Sequence, residues 1–127
     1  MTVIEERSRS SDAFVRLAAI ETLGACLPEP AAFDRLGELL EDETVTAEVD
    51  AAEALVRGAG LRGLIRVLEE LGRRRDDPDT DYMAYMLSDL DAAGDWPVLE
   101  EASRIASADM TENVAIGLEN LRVLRGK

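Results

Sequence analysis

The chain has 127 residues, with 14 basic against 27 acidic side chains for a formal charge of −13, one cysteine and no histidine. Hydrophobic residues make up 46% but aromatics only 4%, which suits one domain of closely packed Leu-, Ala-, Val- and Ile-built helices and suits a β-sandwich badly. Without histidine, His-based acid–base and nucleophile chemistry and HExxH zinc sites drop out, and a lone Cys26 excludes an internal disulfide or a cysteine-based zinc site.

In chain order, residues 1–9 carry charge and serine with little pattern and read as a flexible N-terminal arm, leaving 10–127 as a single helical domain. They contain no apolar run of signal-peptide length. No segment approaches the ~20 apolar residues that span a bilayer, so a cytoplasmic protein is expected. Ser10, Ser11 and Asp12 offer N-cap oxygens to a first helix whose buried stripe is read as Phe14, Leu17, Ala18 and Leu23. Gly24 and Pro28-Glu29-Pro30 end it, with Cys26 as an inert buried thiol. A second helix follows from Ala31 to Glu41 on Phe33, Leu36 and Leu40.

Val45–Arg57 reads as a short Ala-rich third helix with Val49, Ala52 and Leu55 on one face, capped by Thr44 or Thr46. Gly58-Ala59-Gly60 turns into a fourth, where Leu61, Leu64, Ile65, Leu68 and Leu71 form the cleanest stripe. Arg73-Arg74-Arg75 closes it in accord with the helix dipole. An acidic loop, Asp76-Asp77-Pro78-Asp79-Thr80-Asp81, opens a fifth helix carrying Tyr82, Met83, Tyr85, Met86, Leu87 and Leu90. A sixth is expected from an Asp95 N-cap, with Pro97 in its first turn and Val98, Leu99, Ala102, Ile105 and Ala106 facing inward. The seventh starts at an Asp109 or Thr111 cap and runs towards Arg125. Its apolar positions, 114, 116, 118, 121 and 123, are wider than one stripe. Helix 111–125 is therefore a candidate homodimer contact.

The Val49-Ala52-Leu55 triplet recurs as Leu17-Ile20-Leu23, Ala84-Leu87-Leu90 and Ala115-Leu118-Leu121, displaced by 32, 35 and 31 residues between successive copies. That period holds two short helices and two turns. On Val15-Arg16-Leu17-Ala18-Ala19-Ile20 and Val49-Asp50-Ala51-Ala52-Glu53-Ala54-Leu55 the chain resembles the HEAT-repeat family, in its short bacterial or PBS-lyase-type form. The resemblance implies an all-α, right-handed solenoid of about seven helices, three pairs plus a C-terminal cap. It also implies that the second helix of each pair lines the binding face. Those solvent rows would be Asp34, Glu38 and Glu41; Arg62, Arg66, Glu69 and Arg73; and Glu100, Glu101 and Arg104.

Candidate chemistry is sparse. Asp77, Asp79 and Asp81 have the alternate spacing that opens a calcium loop, but Tyr82 stands where the turn needs Gly and Ser88 where a bidentate Glu belongs. A helix-capping loop explains them, and neither a metal nor a cofactor is expected. Three of the five aromatics, Tyr82, Tyr85 and Trp96, cluster beside this loop. Core packing is the default for such residues at helical spacing; interface anchoring is the alternative. The −13 charge disfavours nucleic acid and anionic membranes and favours encounter with a basic protein, although acidity also serves solubility alone. The expectation is a non-enzymatic binding module for a basic partner, of the inhibitor or immunity type. Its candidate contacts are Asp77, Asp79, Asp81, Tyr82, Tyr85, Trp96, Glu38, Glu41, Arg66, Glu69, Glu100 and Glu101. The alternatives are a homo-oligomeric scaffold, or a HEAT-like lyase or chaperone acting on a bound ligand.

Overall fold

Helix breakers and caps set the element boundaries. In the computed structural model, which describes residues 2–127, the described residues form eight α-helices and one 3-10 turn, with no strand among them. In order these are α1 (Thr2–Ser8), α2 (Ala13–Ala25), α3 (Pro30–Leu39), α4 (Val45–Ala59), α5 (Leu61–Arg73), α6 (Thr80–Ala93), α7 (Val98–Ala102), a 3-10 turn (Ser107–Asp109) and α8 (Glu112–Arg125). Asp12 caps α2 by accepting the Phe14 N–H at 2.9 Å, and Thr111 caps α8 by accepting that of Val114 at 3.2 Å. Gly94 ends α6 in the left-handed conformation (φ 74°), where a Cβ would be strained. No helix is long and apolar enough to cross a membrane among the described residues.

The chain divides into two compact units, Met1–Gly63 and Leu64–Lys127. In the first, α2 packs against α1, α3 and α4, and α3 against α4. Ala19, Ile20 and Leu23 of α2 meet a core that includes Ala32, Leu36, Ala51, Ala52, Leu55 and Val56. The face that α2 buries differs from the one read in the sequence. Phe14 is 82% exposed, Ala18 is exposed and Leu17 is half-buried, whereas Arg16 is buried. The reason is polar. Arg16 forks onto Asp42, Nε to Oδ2 at 3.0 Å and Nη2 to Oδ1 at 3.2 Å, and donates to Ser10 O and Thr44 Oγ1, each at 2.9 Å. A guanidinium with this many acceptors can be buried. Helix α2 is apolar on nearly every side, so hydrophobicity could not choose its face.

Residues 2–8, which offered the sequence reading little pattern, are helical and pack on α2. Arg35 fastens this helix by donating Nε to Ser8 Oγ at 2.8 Å and Nη2 to Ser8 O at 3.0 Å. Both acceptors belong to a buried serine, one its hydroxyl and the other its backbone carbonyl, and neither carries a hydrophobic signal.

In the second unit, α6 packs against α7 and α8. Asp91 joins the three: its carboxylate accepts Arg125 Nε at 3.0 Å and the Leu99 N–H at 3.2 Å. Burial opposes ionisation there, but those two donors hold the carboxyl below the ordinary aspartate range. Glu69 ties α5 to α8 by accepting Thr111 Oγ1 at 2.6 Å and Asn113 Nδ2 at 3.1 Å. The expected sixth helix is shorter than its pattern. It stops at Ala102; Val98 and Ala102 are buried, but Leu99 and Ile105 are half-buried and Ala106 is exposed. Asp95 is not its cap, since Pro97 holds that position. Ser103 Oγ donates to the Glu100 carbonyl, the acceptor that a continuing helix would offer to residue 104, and the Arg104 N–H turns to Glu101 O instead.

The four recurring triplets fall on α2, α4, α6 and α8. In each the second and third members are buried: Ile20 and Leu23, Ala52 and Leu55, Leu87 and Leu90, Leu118 and Leu121. The first members are half-buried in Leu17, Val49 and Ala84 and exposed in Ala115.

Candidate functional site

The polar row residues divide by what engages them. Glu38 and Glu41 belong to the first unit, where Glu38 is exposed beside Arg9 at 3.9 Å and Arg35 at 3.8 Å. In the second unit Arg66 donates to Glu70, Glu69 is the α5–α8 tie, and Glu101 accepts from Arg104 at 3.0 Å. Glu100 is exposed, and its carbonyl serves Ser103. The Glu38, Arg66, Glu69 and Glu101 side chains are thus engaged by neighbours within their own unit.

The acidic loop behaves similarly at its start and differently at its end. Asp77 accepts the Asp79 N–H at 2.9 Å and Arg74 Nη2 at 2.9 Å, which together hold its carboxyl below the usual range. Asp79 and Asp81 are exposed. Among the described residues no three Cys, Asp or Glu side chains gather as a metal site.

Helix α6 brings the remaining candidates together. Tyr82 and Tyr85 are 54% and 49% exposed, so the default expectation that they fill the core is corrected; Trp96 is half-buried. Met83 and Leu87 occupy the buried face, and the three-residue step from 82 to 85 leaves both tyrosines on the opposite one. Their rings meet edge to face, with centroids 6.2 Å apart and planes at 88°. Asp81 and Asp89 lie four residues either side of Tyr85 and are also exposed. The outcome is an acidic–aromatic stripe, Asp81-Tyr82-Tyr85-Asp89. Asp89 was missed in the sequence, although its i+4 spacing from Tyr85 was the available signal.

A phenol face attracts a cation through its quadrupole, and a flanking carboxylate adds charge and acceptor oxygens. Two tyrosines between two aspartates suit a Lys or Arg side chain. The first unit has a different exposed surface: clefts run along both sides of α2, one of about 550 Å³ towards α1 and one of about 500 Å³ towards α4. Against protein-family models, curated proteins and solved structures, the chain gives no match.

Proposed function

We propose that this protein is a non-catalytic binding module for a basic partner protein, with the Asp81-Tyr82-Tyr85-Asp89 stripe as a principal contact. The observation that carries this reading is the exposure of two tyrosines in mutual contact on an acidic helix face. Large aromatics left in water at a regular helical spacing are typical interface anchors. The charge of −13 would steer a cationic partner towards them. An inhibitor-type protein that covers a basic enzyme is one concrete form of this activity. A HEAT-like arrangement of helix pairs is part of the same reading. It is supported by the recurrence, on alternate helices, of a triplet whose second and third members are buried, and a cytoplasmic setting accords with the composition.

The test is salt-sensitive capture of a basic protein from cell extract. Tyr82→Ala/Tyr85→Ala and Asp81→Asn/Asp89→Asn are each expected to reduce capture about tenfold or more, as loss of an anchor does. Unchanged capture by both variants, with native circular dichroism, would remove the stripe from the interface. A second reading, a homo-oligomeric scaffold, is favoured by Val123 and Leu124 at the end of α8, both exposed. A sedimentation profile that stays monomeric at tens of micromolar, on the order of ordinary dimer affinities, would rule against it.

A further inference from the structure

Helix α2 carries more apolar surface than the first unit covers. A helix that is apolar on most of its surface buries that surface where it can, yet Phe14 and Ala18 are exposed and Val15 and Leu17 are half-buried. The cleft between α2 and α4 is floored by Leu17, Ala18, Ile20 and Ala54. Glu21, Asp50 and Glu53 line it, with Arg57 as its one cation, and Arg57 is already held by Glu53 at 2.7 Å. Glu21 and Asp50 form no ion pair or side-chain hydrogen bond among the described residues. Partial burial of Asp50 and the neighbouring Glu53 push the Asp50 carboxyl above its ordinary value. An apolar floor and two acids without a cationic partner, Glu21 and Asp50, therefore occur in one groove between two helices, the geometry in which a third helix docks.

We propose that the α2–α4 cleft seats one cationic amphipathic helix of a partner protein. Its aliphatic side chains would rest on Leu17, Ala18 and Ala54, and its Lys or Arg side chains would reach Glu21, Asp50 and Glu53. Charge complementarity selects this occupant. A second copy of the chain is itself acidic, with a net charge of −13, and would be repelled by the acid rim, as nucleic acid or an anionic lipid surface would be. The proposal rests on the reading of the protein as a binder of basic partners. It adds a second contact, in the first unit, that the α6 stripe does not require.

The experiment is an NMR titration of the full, isotope-labelled chain with a synthetic Leu/Lys amphipathic helical peptide. The same peptide with Glu for Lys serves as control. Shifts are expected at Leu17–Glu21 and Asp50–Arg57, with no binding of the Glu peptide. Asp50→Asn/Glu53→Gln should weaken affinity about tenfold, as removal of close charge pairs does. Ala18→Trp, at an exposed position, should block the cleft. Tyr82→Ala/Tyr85→Ala should leave these shifts unchanged, so failure of the α6 contact and failure of the cleft are separable. Shifts confined to α6, equal binding of the Glu peptide, or indifference to Asp50→Asn/Glu53→Gln would each overturn the proposal. Concentration-dependent self-association that perturbs the same residues without peptide would also overturn it, and would assign the cleft to a second copy.

Discussion

Replacing Glu70 with alanine is expected to lower the unfolding free energy by about 3 kcal/mol, read from the urea midpoint. Glu70 is fully buried, and its carboxylate accepts Arg66 Nη1 at 3.0 Å, Arg74 Nη1 at 3.1 Å and Arg73 Nη2. Taking away the anion leaves three guanidinium groups gathered with their common acceptor gone. Breaking a buried ion pair from one side costs about 3–5 kcal/mol. The lower end applies because Arg66 and Arg73 are partly open to water and Arg74 keeps Asp77 at 2.9 Å.

The same group imposes a pH dependence. Burial opposes ionisation of Glu70, but the hydrogen bonds from Arg73, Arg66 and Arg74 outweigh it and hold its carboxyl below the ordinary glutamate value. The unfolded chain therefore takes up this proton at a higher pH than the native one. Stability from Glu70 is fully present above the unfolded carboxyl pKa and is lost as pH falls through the depressed native value; Asp91, also depressed, acts in the same sense. Urea midpoints measured at about pH 7 and about pH 3 should differ less for Glu70→Ala than for the unmodified chain. Equal losses in the two proteins would show that Glu70 does not carry the acid sensitivity.

The second large effect is expected at two glycines. A Cβ on Gly72 would stand 1.8 Å from the Asn113 carbonyl oxygen, and one on Gly117 2.3 Å from that of Leu68. Both obstacles are backbone, so no rotamer change relieves them, and α5 and α8 would have to move apart. Gly72→Ala and Gly117→Ala should each destabilise by about 3 kcal/mol in urea unfolding, the upper part of the overpacking range. Alanine's helix preference returns about 1 kcal/mol, too little to reverse the sign. Gly24→Ala is the control: its Cβ would meet the Ala54 Cβ at 3.2 Å, and propensity should hold the change within about 1 kcal/mol. If Gly72→Ala and Gly117→Ala were as mild as Gly24→Ala, the close approach of α5 and α8 would be wrong.

The helices were legible wherever periodicity and punctuation agreed. Val45–Ala59 follows its apolar triplet, α8 begins on its Thr111 cap, and α6 ends at Gly94 as the turn residues indicated. What escaped depends on partners distant in the chain. Arg16 is buried because Asp42 and Thr44 meet it, and α1 is docked because Arg35 reaches Ser8; neither pairing has a local signature. Hydropathy placed Phe14 inside, since it registers a helix's composition but not which of several apolar faces finds a neighbour. The aromatic cluster was recognisable as unusual. That Tyr82 and Tyr85 face water follows from Met83 and Leu87 having taken the core, and Asp89 becomes part of the surface only once that face is known.

The division at Gly63 has a kinetic meaning. The principal packing pairs of the first unit, α1 with α2, α2 with α3 and α4, and α3 with α4, all lie within the first 63 positions and join helices no more than two elements apart. Such short-range topology closes quickly, because little loop entropy is lost before contacts form. On the ribosome these contacts become available while the second half is still being made, so the order of synthesis can also be the order of closure. The apolar side of α2 would then be presented to the surroundings before α6 and its tyrosines exist.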